Sequence, residues 1–174
     1  MAEGKEKVKM TREFAAGGVV FRNVGKETLW LITQSTPSEF YPDSFWRLPK
    51  GWLDDEDEGK KPGPQTRGVR EASETEFQNA ALREVEEEGG VVVEILDKIK
   101  TLVLSLTIRG RGKVLKFITF YLMRYSGDSR DGFGFETSEI AWLSYSEARK
   151  RLSFSSEKEV LDEAVELLES KGLV

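Results

Sequence analysis

Cysteine and histidine are both missing from the 174 residues. Without thiols the chain can form no disulfide, no thiolate metal site and no cysteine nucleophile. Without imidazole it also loses the commonest general base and transition-metal ligand near neutral pH. Acid–base chemistry therefore falls to carboxylates, Lys or Tyr. Long apolar runs are scarce too: none approaches the roughly 18 residues that span a bilayer, and the opening MAEGKEKVKM lacks the apolar core of a secretory leader. The expectation is a cytoplasmic protein without a membrane partner. Positive charge is not in excess either. A formal charge of −5 and a pI near 5.1 give no bulk attraction for a phosphate backbone, which argues against duplex nucleic acid as a partner.

What is present suffices for one core. With 39% hydrophobic and 33% charged residues, residues 1–174 read as a single domain. EFAAGGVVFR from Glu13 and ETLWLITQ from Glu27 read as two strands of a hairpin across Asn23 to Lys26. FWRLPKGW from Phe45 is a strand end running into a tight loop at Pro49 and Gly51. Residues 54–73 carry an acidic block, four basic residues, two prolines and three glycines, with almost nothing to bury. They read as an exposed loop. Ser73-x-x-Glu76 and Thr75-x-x-Gln78 are both capping-box patterns, which starts a helix near residue 74 or 76. Phe77, Ala80, Ala81 and Val85, with Leu82 alongside, give that helix one buried face.

VVVEIL, TLVLSLTI and VLKFITFYLM follow as apolar runs, the last two joined across Arg109-Gly110-Arg111-Gly112 as a hairpin. EIAWL from Glu139 is a short strand. SEARKRL and SSEKEVLDEAVELLES read as helices, the second with Val160, Leu161, Ala164, Leu167 and Leu168 on one stripe.

The stretch with most chemistry is REVEEEGGV, Arg83 to Val91. Gly89-Gly90 marks a helix C-terminus, where the peptide dipole favours Lys or Arg, yet Glu residues gather there. Glu84 and Glu88 lie one turn apart, a like-charge spacing that costs roughly 0.2–0.5 kcal/mol in an isolated helix. Glu87 lies beside both. A hard divalent cation with oxygen ligands would relieve that repulsion.

REVEEEGGV resembles the second half of the Nudix box, R-E-U-x-E-E-x-G-U with U apolar, at every specified position. LPKGW from Leu48, FETSEIAWL, the AAGGVVF opening and the EARKRLSF…VLDEA ending also resemble the family. The front half of the box departs from it. Trp52 stands where a second Gly is usual, 22 residues (53–74) replace five, and Thr75 occupies the position of the box Glu, flanked by Glu74 and Glu76. Lengthening the loop from five residues to 22 costs about 1.3 kcal/mol in closure entropy, so the fold is expected to survive it.

The resemblance implies an α/β fold: an α/β/α sandwich with a central mixed β-sheet and a catalytic loop-helix-loop. It implies hydrolysis of a phosphoanhydride in a nucleoside diphosphate linked to another moiety, a dinucleoside polyphosphate by pattern. Diphosphoinositols, ADP-sugars, nucleoside triphosphates and a weakened nucleotide-binding regulator are the alternatives. Mg2+ or Mn2+ would be held by Glu84, Glu87 and Glu88 with the Gly51 carbonyl. Arg83 would brace the loop, and the water-orienting carboxylate would come from Glu87, Glu88, Glu136 or Glu139. Lys50, Arg109 and Arg111 are candidates for phosphate contacts, and Trp46 and Tyr41 for base stacking. The expected partner is a small nucleotide or polyphosphate, with a monomer or homodimer as the assembly.

Overall fold

The computed structural model describes residues 10–39 and 41–173. The opening MAEGKEKVKM lies outside them except for Met10. No helix among the described residues is long and apolar enough to cross a membrane.

The chain opens with β1 (Thr11–Val24) and β2 (Glu27–Ser35), antiparallel across a turn in which Gly25 has φ 61°. Two short strands, β3 (Trp46–Arg47) and β4 (Lys50–Trp52), lead to a small hairpin of β5 (Asp55–Glu56) and β6 (Lys61–Pro62). After α1 (Glu74–Gly89) come β7 (Val91–Ile108), β8 (Gly112–Asp128) and β9 (Thr137–Leu143), then α2 (Tyr145–Arg151) and α3 (Ser155–Ser170). The main sheet runs β3-β2-β1-β8-β7, with β4 on β1 and β9 on β2. β1 and β8 are parallel from Thr11↔Val114 to Phe21↔Arg124, and the other pairs are antiparallel. The sheet is therefore mixed, as expected.

Strand alternation divides the core into two layers. Ala15, Val19 and Phe21 of β1 face α3, meeting Val160, Leu161, Ala164 and Leu168, while Ala16 and Val20 face α1 with Ala80, Ala81 and Val85. Burial on both faces explains why β1 reads as a near-continuous apolar run. Each fully buried aliphatic side chain contributes roughly 1.5–3 kcal/mol. The result is an α/β/α sandwich.

Two expectations need correction. VVVEIL and TLVLSLTI are one strand, β7, because Asp97 to Lys100 bulge out of register with β8 instead of ending it. The 54–73 stretch is not wholly exposed, since Gly63, Gln65 and Thr66 are buried. Asp54 organises them: its Oδ1 accepts from Thr66 N at 2.8 Å and its Oδ2 from Gln65 N at 3.0 Å. Thr66 O in turn accepts from Phe14 N at 2.8 Å, fastening the insertion to β1. Residues 55–61 remain the exposed tip.

Candidate active site

Helix α1 begins at Ser73, whose Oγ accepts from Glu76 N while the Glu76 carboxylate returns to Ser73 N. The Ser73 box therefore sets the start, and the Thr75 pattern falls inside the helix. Neither Glu74 nor Glu76 replaces the missing box carboxylate. Glu74 binds Lys98 Nζ at 2.9 Å and Tyr121 OH at 2.9 Å, while Glu76 binds Gln65 and lies 3.7 Å from Arg70. Arg83 instead donates from Nη2 to the carbonyls of Trp52 (2.9 Å) and Leu53 (3.2 Å) and lies 3.4 Å from Glu84. It braces the loop through main-chain oxygens.

The other end of α1 carries no basic residue in its last turn. Main-chain and hydroxyl donors of the 129–137 segment take that part: Gly134 N donates to Glu87 O at 2.7 Å and Thr137 Oγ1 to Glu88 O at 2.8 Å. Gly90 closes the helix in the left-handed region at φ 68°, and a Cβ there would also meet Phe133 N at 2.8 Å.

That closure puts Glu84 and Glu88 against the loop. A Cβ on Gly51 would overlap the Glu84 carboxylate, so only glycine fits this close approach. Glu88, 4% exposed, accepts from Lys50 N at 3.0 Å and lies 3.5 Å from Arg47 Nη2. Burial, followed by the neighbouring charges of Glu88 and Glu87, pushes the Glu84 carboxyl up to about 7. Burial also raises Glu88, opposed chiefly by Arg47 and Lys50. Glu87 stays exposed.

Among the described residues no three carboxylates enclose an ion-sized space. Their chemistry nevertheless fits a hard divalent cation: oxygen donors on one helix face, mutual repulsion that raises Glu84, and a glycine cradle against that carboxylate.

The remaining candidates scatter. Lys50 sends its main chain to Glu88 but its Nζ to Glu157 Oε2, at 3.0 Å. Glu157 is 4% exposed and accepts from Leu48 N at 2.5 Å through Oε1. Lys50's ammonium is thus tied to α3. Glu139 is exposed on β9 opposite Gln34, and Glu136 is close enough to contribute to the upward shift of Glu88.

Trp46 is half-buried under Arg151, whose guanidinium carbon is 5.3 Å from the ring centre, and Tyr41 is 60% exposed with its main chain bonded to Ser38. Trp46 packs against the core layer on the α3 side. The Arg109–Arg111 turn lies seven rungs along β8 from Thr119, the residue level with Gly51 across β1. At about 3.3 Å per residue the turn's main chain is on the order of 20 Å away, but the Arg111 guanidinium folds back to buried Glu13 at 2.9 Å, and Lys116, level with Glu13, is within electrostatic reach of Lys50, Arg47 and Glu88.

Sequence reasoning missed Arg47 and Glu157. Arg47 stood in the FWRLPKGW stretch without an apparent partner. Glu157 looked like an ordinary acidic residue in a first helical turn.

The family model described as NUDIX domain matches residues 11–164. The chain belongs to the Nudix family. A mutator protein called MutT4 from Mycobacterium tuberculosis (strain CDC 1551 / Oshkosh) is 28% identical over 173 residues, covering 97% of this chain and 62% of that protein. The chain thus spans under two thirds of that relative's length.

Among solved structures, the C. elegans Ap4A hydrolase binary complex aligns with TM-score 0.62 at 21% identity, over 91% of this Nudix chain and 98% of that one. The NUDIX domain of Shewanella oneidensis NrtR, complexed with ADP ribose, aligns with TM-score 0.56 at 18% identity, over 96% and 94%. At these identities the likeness speaks for the fold.

Proposed function

We propose that this Nudix chain is a pyrophosphohydrolase acting in the cytoplasm, through one Nudix domain, on a nucleoside diphosphate joined to a second moiety. Dinucleoside polyphosphates are its substrate class. The carrying observation is the end of α1, where no basic residue stands in the last turn, Glu84 lies against Gly51 and its carboxyl is raised to about 7 by burial and by Glu88 and Glu87. The substrate class rests on the resemblance carried by LPKGW and the EARKRLSF…VLDEA ending, and the fold likeness to C. elegans Ap4A hydrolase accords with it.

Glu84, Glu87, Glu88 and the Gly51 carbonyl would hold Mg2+ or Mn2+. When bound, the ion polarises phosphate oxygens and lowers the pKa of an attacking water. Arg83 keeps the Trp52–Leu53 turn in shape, and Arg47 with Lys50 N fixes the Glu88 carboxylate. The water-orienting carboxylate is Glu87, Glu136 or Glu139, all exposed and none in an ion pair among the described residues. A second reading, a nucleotide-binding regulator, draws on Thr75 at the box Glu position, which leaves Arg83 to main-chain oxygens.

The test is a hydrolysis screen with and without metal across dinucleoside polyphosphates, nucleotide sugars, nucleoside triphosphates and diphosphoinositols. Metal-dependent cleavage strongest on dinucleoside tetraphosphates is expected. Preference for another class overturns the substrate assignment, and no turnover of any class overturns the hydrolase.

A further inference from the structure

Strand β7 forms one edge of the main sheet, and its two halves differ. From Val91 to Lys100 it carries Glu94, Asp97, Lys98 and Lys100, and its register against β8 slips at Val92/Val93, Ile95/Asp97 and Lys98/Lys100. Charges and bulges are the devices that keep an edge strand from pairing with another chain. From Thr101 to Ile108 both stop. TLVLSLTI contains no charge, proline or glycine and pairs with β8 without a slip from Thr101↔Thr119 to Ile108↔Gly112. It exposes Val103 by 52% and Leu106 by 39%. Among the described residues no strand lies on its outer side.

We infer that a second copy of this chain pairs there, β7 antiparallel to β7 about a two-fold axis at Leu104. An isologous antiparallel seam keeps each side chain on its own face of the sheet, so the axis must pass opposite a single residue. Centred on Leu104, it sets Leu102 against Leu106, Val103 against Ser105 and Thr101 against Thr107. The first flanking cations, Lys100 and Arg109, fall opposite Ile108 and Ile99, so no like charges meet. A charged peptide would find no complementary charge along this stretch, whereas self-pairing needs none.

The seam supplies main-chain hydrogen bonds and apolar neighbours on both faces. At about 3.3 Å per residue it is roughly 26 Å long. Eight residues from each copy are fewer than the roughly 20–30 a side of a standard interface, so a weak, concentration-dependent dimer is expected.

Sedimentation equilibrium over a micromolar concentration series tests this. The wild-type chain should move from monomer to dimer. Val103→Lys with Ser105→Lys, both at exposed positions, places two Lys–Lys pairs across the axis and should weaken the dimer at least tenfold. Val103→Lys with Ser105→Glu places Lys against Glu twice and should restore it. Circular dichroism and urea midpoints check that each variant stays folded. A wild-type chain that remains monomeric throughout, a dimer that survives the double-lysine change, or a Lys/Glu variant no better than the double lysine would each overturn the pairing.

Discussion

Glu88 on α1 and Glu157 on α3 are each 4% exposed, and both hold Lys50, the first by its main-chain N–H and the second by its ammonium. Their surroundings differ. Glu157 meets Leu48 N at 2.5 Å and Lys50 Nζ at 3.0 Å, one donor for each carboxylate oxygen. Glu88 has Arg47 at 3.5 Å and Lys50 N at 3.0 Å, but it sits one turn from Glu84, whose raised carboxyl records the shared charge and burial. The same loop thus meets one carboxylate with its own cation on the α3 side, and on the α1 side a group of three, Glu84, Glu87 and Glu88, that outnumbers its paired cations Arg47 and Arg83. A matched buried carboxylate stabilises, while an unmatched group of them is suited to receive a cation.

The sharpest way to break the comparison is Glu157→Ala. It strands the Lys50 ammonium and the Leu48 N–H, and removing one partner of a buried pair costs about 3–5 kcal/mol. Urea unfolding should show that loss. A change as small as that of a surface substitution would mean Glu157 does not anchor the loop.

Next comes Asp54→Ala, which removes the acceptors of Gln65 N and Thr66 N. Losing a hydrogen bond to a charged group costs about 1.5–3 kcal/mol. The expected readout is a lowered urea midpoint together with faster proteolysis in the 55–61 tip. Unchanged values of both would make the staple incidental.

The smallest effect concerns an exposed pair. Asp162 accepts from Arg149 Nε at 2.8 Å between α2 and α3, and that bond, with help from Tyr145, holds its carboxyl below the usual range. A depressed carboxyl contributes stability above the unfolded pKa of roughly 3.9 and loses it as pH falls through the folded value. Asp162→Asn should therefore lower the urea midpoint slightly at neutral pH, and the gap to wild type should close in acid below that range. A gap that widens in acid would reverse the sign.

The sequence showed the sheet and helices where the pattern is local. The β1–β2 hairpin, the Ser73 cap and the α3 stripe each depend on residues within a few positions of one another. It failed where the cause is distant. Gln65 and Thr66 look solvated by composition, and they are buried because Asp54, eleven and twelve residues earlier, supplies acceptors. Asp97 to Lys100 look like a break, but bulges let β7 continue while Asp97, Lys98 and Lys100 pair with Lys171, Glu74 and Glu163.

The carboxylates of α1 were legible because their crowding violates a local rule. Glu157 breaks none, and its partners Leu48 and Lys50 are more than a hundred residues away. Arg109 and Arg111 read as phosphate contacts because sequence shows their cations without showing that the turn itself lies far along β8 from Gly51.

If the two sides of the Leu48–Gly51 loop have separate duties, Mn2+ titration calorimetry paired with urea unfolding will separate them. Glu84→Gln should weaken Mn2+ binding on the order of tenfold or more, the loss of one charged ligand, while leaving the urea midpoint of the metal-free protein unchanged or higher. Glu157→Gln should lower the midpoint and leave Mn2+ affinity close to wild type. Wild-type Mn2+ affinity in Glu84→Gln, or Mn2+ binding lost equally in both variants, would contradict that separation.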